Sequence, residues 1–99
     1  MPAERRFRFL RGVQVEITNA TAEYDEAREG LGEEFACAIE RAMEHIADGP
    51  QRWPRLDGRH HRFVLRRFPF NVVYRYNETE IIVVAVSHQR RHPDYWRGR

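Results

Sequence analysis

Six consecutive apolar residues, Ile81-Ile82-Val83-Val84-Ala85-Val86, form the longest apolar run in the chain and constrain its fold more than any other segment. Five of the six are β-branched, so residues 81–87 read as a strand, and as the most apolar strand it belongs at the centre of a sheet. Residues 60–67 and 70–76 read as two further strands, separated by Phe68-Pro69. Asn77-Glu78-Thr79-Glu80 is a turn, so the three strands form an antiparallel meander.

The N-terminal half supplies the cover for this sheet. Val13, Val15 and Ile17 alternate with Gln14, Glu16 and Thr18, the period of a half-buried strand. Asn19 and Thr21 then serve as N-caps of a helix ending near Glu29, which Gly30-Leu31-Gly32 breaks. A second helix runs to about Asp48 with Leu31, Phe35, Ile39, Ala42, Met43 and Ile46 on one stripe, and Gly49-Pro50 stops it. Trp53-Pro54 sit in the following loop, packed over the end of this helix, and Asp57-Gly58 marks a turn. The expected architecture is α+β: a small antiparallel sheet of an N-terminal strand plus a C-terminal three-stranded meander, with a two-helix hairpin on one face. Residues 1–12 are basic, with arginine alternating with Phe and Leu, a pattern that suits an edge strand or a flexible extension.

Ninety-nine residues make a single domain, residues 1–99, with no room for a second core. Charged residues at 32% and apolar residues at 41% give a globular rather than a disordered balance. The longest apolar run is far too short to cross a membrane, and the N-terminus lacks a signal-peptide core. Cys37, alone in the chain, cannot pair internally, so it is expected buried on the second helix in a reducing, cytoplasmic setting.

Charge divides the chain in two. Residues 1–50 carry six arginines against eleven acids, net −5, and residues 51–99 carry eleven arginines against four acids, net +7. There is no lysine. Guanidinium groups bind carboxylates and phosphates bidentately and stack on flat rings, so the basic half suits an anionic partner, nucleic acid or an acidic protein segment.

Strand alternation sets Arg62, Val64 and Arg66 on one face of the sheet, with Phe63 and Leu65 toward the helices. It likewise separates Phe70, Val72, Tyr74 and Tyr76 from Asn71, Val73 and Arg75. Arginines therefore converge on the open face, and Arg90 and Arg91 follow off the central strand. Metal-independent RNA cleavage needs a base for the 2′-hydroxyl, cations for the charge on phosphorus and an acid for the leaving oxygen. His88, His92 or Tyr95 could move protons, and Arg62, Arg66 and Arg90 could hold charge. The structural alternatives are a hydrogen-bonded His88 at a strand end and a hydrophobic plug formed by Tyr95-Trp96. His60-His61 reads as exposed. The histidines lack acidic or cysteine companions at ligand spacing, so neither a metal nor a cofactor is expected.

Gly30-Leu31-Gly32-Glu33-Glu34-Phe35, the Pro50-x-x-Trp53-Pro54 loop, the segment from Arg66 to Arg75 and the terminal His88-Gln89-Arg90-Arg91-His92-Pro93-x-Tyr95-Trp96 together resemble the RelE/ParE family of type II toxin–antitoxin toxins. The resemblance spans about Val13 to Trp96. It implies a prokaryotic cytoplasmic toxin of a plasmid-stabilisation type module, neutralised by a cognate antitoxin, as a homodimer or in a heterotetramer with that antitoxin. RelE-like members cut mRNA at the ribosome, and ParE-like members poison DNA gyrase.

Arg62 matches the first of two basic positions of the RelE-like pattern, but Val64 stands at the second and Asn71 replaces an arginine of the next strand. Arg90 is kept, and Tyr95 corresponds to a terminal tyrosine. A nuclease would use Arg62, Arg66, Arg90, His88 and Tyr95. The missing half of that set favours the ParE-like reading, in which Arg75, Arg91, His92 and Trp96 belong to an effector surface for protein recognition. Relatives carry several more residues before Gly30, including a Trp-Tyr pair. The resemblance therefore implies a shortened helical hairpin, with an altered antitoxin contact or an inactive homologue as its consequence.

Overall fold

In the computed structural model, which describes residues 4–99, the apolar run lies in β4 (Glu80–His88), an inner strand of a four-stranded sheet. β3 (Phe70–Tyr76) and β2 (His61–Val64) follow it on one side, antiparallel. β1 (Arg6–Phe9) flanks it on the other, and the pairing is parallel: Arg6 lies opposite Glu80 and Phe9 opposite Val83. The order is β1-β4-β3-β2, so the sheet is mixed rather than purely antiparallel.

The N-terminal strand therefore exists, but not where alternation placed it. Residues 13–18, read as a strand, lie inside α1 (Arg11–Ala27). Val13 is fully buried, whereas Val15 is 56% exposed. The governing period is helical: Val13, Ile17, Ala20 and Tyr24 join the core cluster at spacings of three and four. Asn19 and Thr21 are interior residues of that helix, not caps; Leu10 is the N-cap, in extended backbone. Of the segment 1–12, residues 1–3 lie outside the described residues, Arg6–Phe9 form β1, and Arg11 and Gly12 open α1.

The first helix thus starts well before the expected caps at Asn19 and Thr21. α1 has 17 residues and α2 (Leu31–Asp48) has 18, so the hairpin is built of two helices of near-equal length. Gly30 links them in the left-handed region at φ 87°, which a side chain would strain. Gly32 lets the helices approach: a Cβ there would sit 2.5 Å from the Thr21 carbonyl oxygen. Its N–H donates to Asp25 Oδ1 at 2.8 Å.

The hairpin covers one face of the sheet. Phe35, Ile39, Ala42 and Ile46 of α2 meet Phe70, Val72, Tyr74, Ile81, Val83 and Val86. Tyr24 and Phe35 sit 5.3 Å apart at the centre, with Phe68 5.0 Å from Tyr24 and Phe70 5.0 Å from Phe35. Such pairs add about 0.5–1.5 kcal/mol each beyond their buried area. Tyr74 closes the core by donating its hydroxyl to the Pro50 carbonyl at 2.6 Å. Trp53 caps the end of α2 as expected, its indole N–H donating to the His45 carbonyl at 3.4 Å. Cys37 is exposed rather than buried, because two residues of helix turn it roughly 200° from Phe35. No helix among the described residues is long and apolar enough to cross a membrane.

Candidate functional site

The opposite face of the sheet carries Arg62 on β2, Asn71, Val73 and Arg75 on β3, and Ile82 and Val84 on β4. Val73 pairs with Ala85 and Tyr74 with Val83, leaving Val84 as the extra residue of a bulge. The bulge lets Val84 and Ala85 join one apolar patch with Val73 and Ile82. Trp96 covers that patch from the short helical turn Tyr95–Gly98 and is 2% exposed. The face read as open is thus partly roofed by the chain's own C-terminal segment.

Two ionic clasps hold this roof. On one side Arg97 donates to Asp57 at 2.7 Å and to Asp94 at 2.6 Å. The Arg97 bond, followed by the backbone N–H groups of Arg59 and His60, holds the Asp57 carboxyl well below the usual carboxylate range. Asp57 also contacts His60 Nδ1 at 3.1 Å, and the His60 ring packs 4.8 Å from Trp96. His61 is 5% exposed; its Nδ1 contacts the Trp53 carbonyl at 2.8 Å. Neither histidine is the free surface residue expected.

On the other side Glu16 of α1 reaches across the edge of β4. Its carboxylate, 8% exposed, accepts the Val86 N–H at 3.0 Å and Arg99 Nη1 at 2.9 Å. Arg91 Nη1 lies 3.6 Å from it, and the Tyr95 hydroxyl donates to it. Arg99 also donates to the Val84 carbonyl at 3.1 Å. β1 ends opposite Val83, where Leu10 N–H donates to the Val83 carbonyl. Beyond that point Glu16 and Arg99 take the place of a neighbouring strand. Burial, and then the Glu16 bond, push the Tyr95 phenol up to about 12.

The candidate residues do not gather into one proton-transfer site. His88 Nδ1 accepts the Arg90 backbone N–H at 3.0 Å, and its ring packs edge-on to Phe70. It is the hydrogen-bonded strand-end residue. Arg66 lies beyond β2, in a groove it shares with Glu34, Arg41 and His45 on the helix side, so it does not accompany Arg62. The Arg62 Nε is buried without a hydrogen-bond partner, as is Asn71 Oδ1. Arg90 and Arg91 are exposed; Arg91 lies 3.8 Å over the Tyr95 ring. His92 is exposed, its Nδ1 accepting the Asp94 N–H at 3.2 Å. Trp96 is a plug and offers no face for stacking. Arg75 is half-buried on the sheet, its guanidinium pushed below the usual range by burial and then by Arg59 and Arg8.

Sequence reasoning missed Glu16, Asp57, Arg97 and Arg99, which do most to fix this surface. Each is one charged residue among many, and no spacing marks it. Among the described residues, no group of three or more His, Cys, Asp or Glu side chains could hold a metal.

The sequence matches the family described as ParE toxin of the type II toxin–antitoxin system, parDE, over residues 16–93. A solved structure of the chromosomal ParDE toxin–antitoxin system from P. aeruginosa superposes with a TM-score of 0.63 at 15% identity. That match covers 86% of this chain and 96% of the other. No curated protein matches by sequence.

Proposed function

Because the chain belongs to the ParE toxin family of type II toxin–antitoxin systems, we propose that it arrests growth by acting on DNA gyrase in the cytoplasm, and that a cognate antitoxin neutralises it. The observation that carries this reading is the capture of Tyr95 by Glu16. A phenol pushed up to about 12 and bonded to a neighbouring carboxylate is a poor proton shuttle near neutral pH. His88 is engaged with the backbone of its own turn, and Arg66 lies with the helices. Val64 and Asn71 stand where a RelE-like nuclease would need cations. A rigid, arginine-rich face with no assembled acid–base pair suits recognition of a protein better than cleavage of RNA.

The antitoxin has a groove to enter. Between α2 and the segment after β2, a cavity of about 510 Å³ has Trp53, Phe63, Leu65 and Phe68 among its walls and Arg41, Arg66 and Arg67 at its rim. An amphipathic segment with acidic flanks would fit it.

Controlled induction in a bacterial host tests the target. The expected outcome is filamentation and a DNA-damage response while bulk translation continues, with growth restored by co-expressing the product of an adjacent small gene. An abrupt halt of protein synthesis with cleaved message would overturn the gyrase reading in favour of a RelE-like endoribonuclease. Normal growth would overturn both.

A further inference from the structure

On the sheet face away from the helices, strand register sets Arg8, Ile82 and Arg75 in one row: Ile82 lies opposite Arg8 on β1 and opposite Arg75 on β3. Strand spacing puts the α-carbons of the two arginines about 10 Å apart, with Ile82 buried between them. Arg59 lies in the loop two residues before His61, which pairs with Tyr74, so it enters the sheet at the Arg75 end of β3. The guanidinium of Arg75 feels both Arg59 and Arg8.

This crowding is compensated only at Arg8. Glu80 neighbours the row and is taken by Arg8 Nε at 3.0 Å. Among the described residues no ion pair reaches Arg59 or Arg75, whereas Arg91, Arg97 and Arg99 on the same face all have carboxylates. Like charges held together on a rigid sheet, one of them half-buried, oppose folding unless an anion neutralises them.

We propose that Arg8, Arg59 and Arg75 form a binding site for the carboxylates of an acidic segment of a partner protein. Glu80 is an in-chain instance of that ligand chemistry, and a guanidinium fork matches a carboxylate bidentately. Nucleic acid fits less well, because no ring beside the row is free to stack a base: Trp96 is buried and His60 packs against it. The site is independent of which cellular target the toxin attacks, and its test is a binding measurement, so failure here leaves the gyrase reading standing.

The experiment titrates the purified full chain with a fluorescein-labelled oligoglutamate peptide, and in parallel with a labelled duplex DNA. Arg59→Ala/Arg75→Ala should weaken oligoglutamate binding about tenfold or more. The charge-matched Arg28→Ala/Arg52→Ala, at exposed positions on the helical side, should weaken it by less than about threefold. Arg59→Ala alone, at an exposed position, should give an intermediate loss in a fold left intact. Equal losses in the two double variants would show net-charge attraction only and overturn the site. Unchanged binding in the Arg59/Arg75 variant, or DNA binding that depends on these arginines and exceeds that of oligoglutamate, would overturn it as well.

Discussion

The carboxylate of Glu16 accepts the backbone N–H of Val86 at 3.0 Å, so an acidic side chain on the first helix bonds the stretch of β4 that β1 leaves unpaired. The same carboxylate takes a guanidinium from Arg99 and a hydroxyl from Tyr95. A buried backbone N–H that loses its acceptor costs about 1–3 kcal/mol, and bonds to a charged group contribute at the upper end of that range. Glu16→Ala should therefore lower stability by about 2–4 kcal/mol. That corresponds to a drop of roughly 10 °C or more in Tm, read by thermal and denaturant unfolding. A loss below about 0.5 kcal/mol, the range of an ordinary surface change, would show that the clasp is decorative.

Tyr95 gives the protein an alkaline limit. Its phenol is pushed from 10.0 up to about 12 in the folded chain, so the folded state holds the proton more tightly than the unfolded state does. The stabilisation is fully present below pH 10 and is lost as pH rises toward about 12. Tyr95→Phe should flatten that part of the stability–pH profile without removing it, because burial raises Tyr74 as well. An unchanged slope in the variant would refute the assignment.

Asp57 sets the corresponding acid limb with the opposite sign. Its carboxyl is held below its ordinary 3.8 by Arg97 and two backbone N–H groups, so its contribution is present above that pH and is lost as pH falls further. Asp57→Asn should be less stable at neutral pH and should lose less on acidification than the wild type. Denaturant midpoints measured across the acid range give both quantities. The Trp96 environment, followed by fluorescence in a Trp53→Phe background, should loosen in the variant.

Gly32→Ala should separate the helices of the hairpin. The new Cβ meets the Thr21 backbone oxygen at 2.5 Å and the Asp25 carboxylate at 2.8 Å, and backbone cannot step aside cheaply. A loss of about 1–3 kcal/mol follows from overpacking of this kind. Gly58→Ala, with nothing within 4 Å, should be nearly neutral. Chemical denaturation of the two variants side by side makes the comparison.

From the second helix onward the helix and strands were legible because their signals are local. The run from Ile81 to Val86, the turn at Asn77 and the Phe35–Ile39–Ala42–Ile46 stripe each state their own structure, and each is found where it was expected. The chain before that helix was not. Val13, Val15 and Ile17 satisfy a strand period, while Val13, Ile17, Ala20 and Tyr24 satisfy a helical one. Nothing within six residues separates the two. What separates them is burial against β4, a fact of tertiary structure. β1 was half-legible: its alternation suited an edge strand, but its partner lies too far along the chain to be named from it. The arginines of the surface were visible as a group. Their division into those already neutralised (Arg91, Arg97 and Arg99) and those left without a carboxylate (Arg59 and Arg75) depends on Glu16, Asp57 and Asp94 arriving from three separate segments.

The parallel pairing of β1 with β4 has a consequence for synthesis. Arg8 meets Glu80 across a separation of 72 residues, and at roughly 5–20 residues per second that partner emerges from the ribosome about 4–14 s after the first strand. β1, α1 and α2 therefore leave the ribosome before the strand they all pack against exists. The nascent chain is committed to a late, concerted closure, because long-range pairing forms only after its loop-closure cost is met. The sheet face that Trp96 covers therefore forms only after β4 and the turn Tyr95–Gly98 have been made.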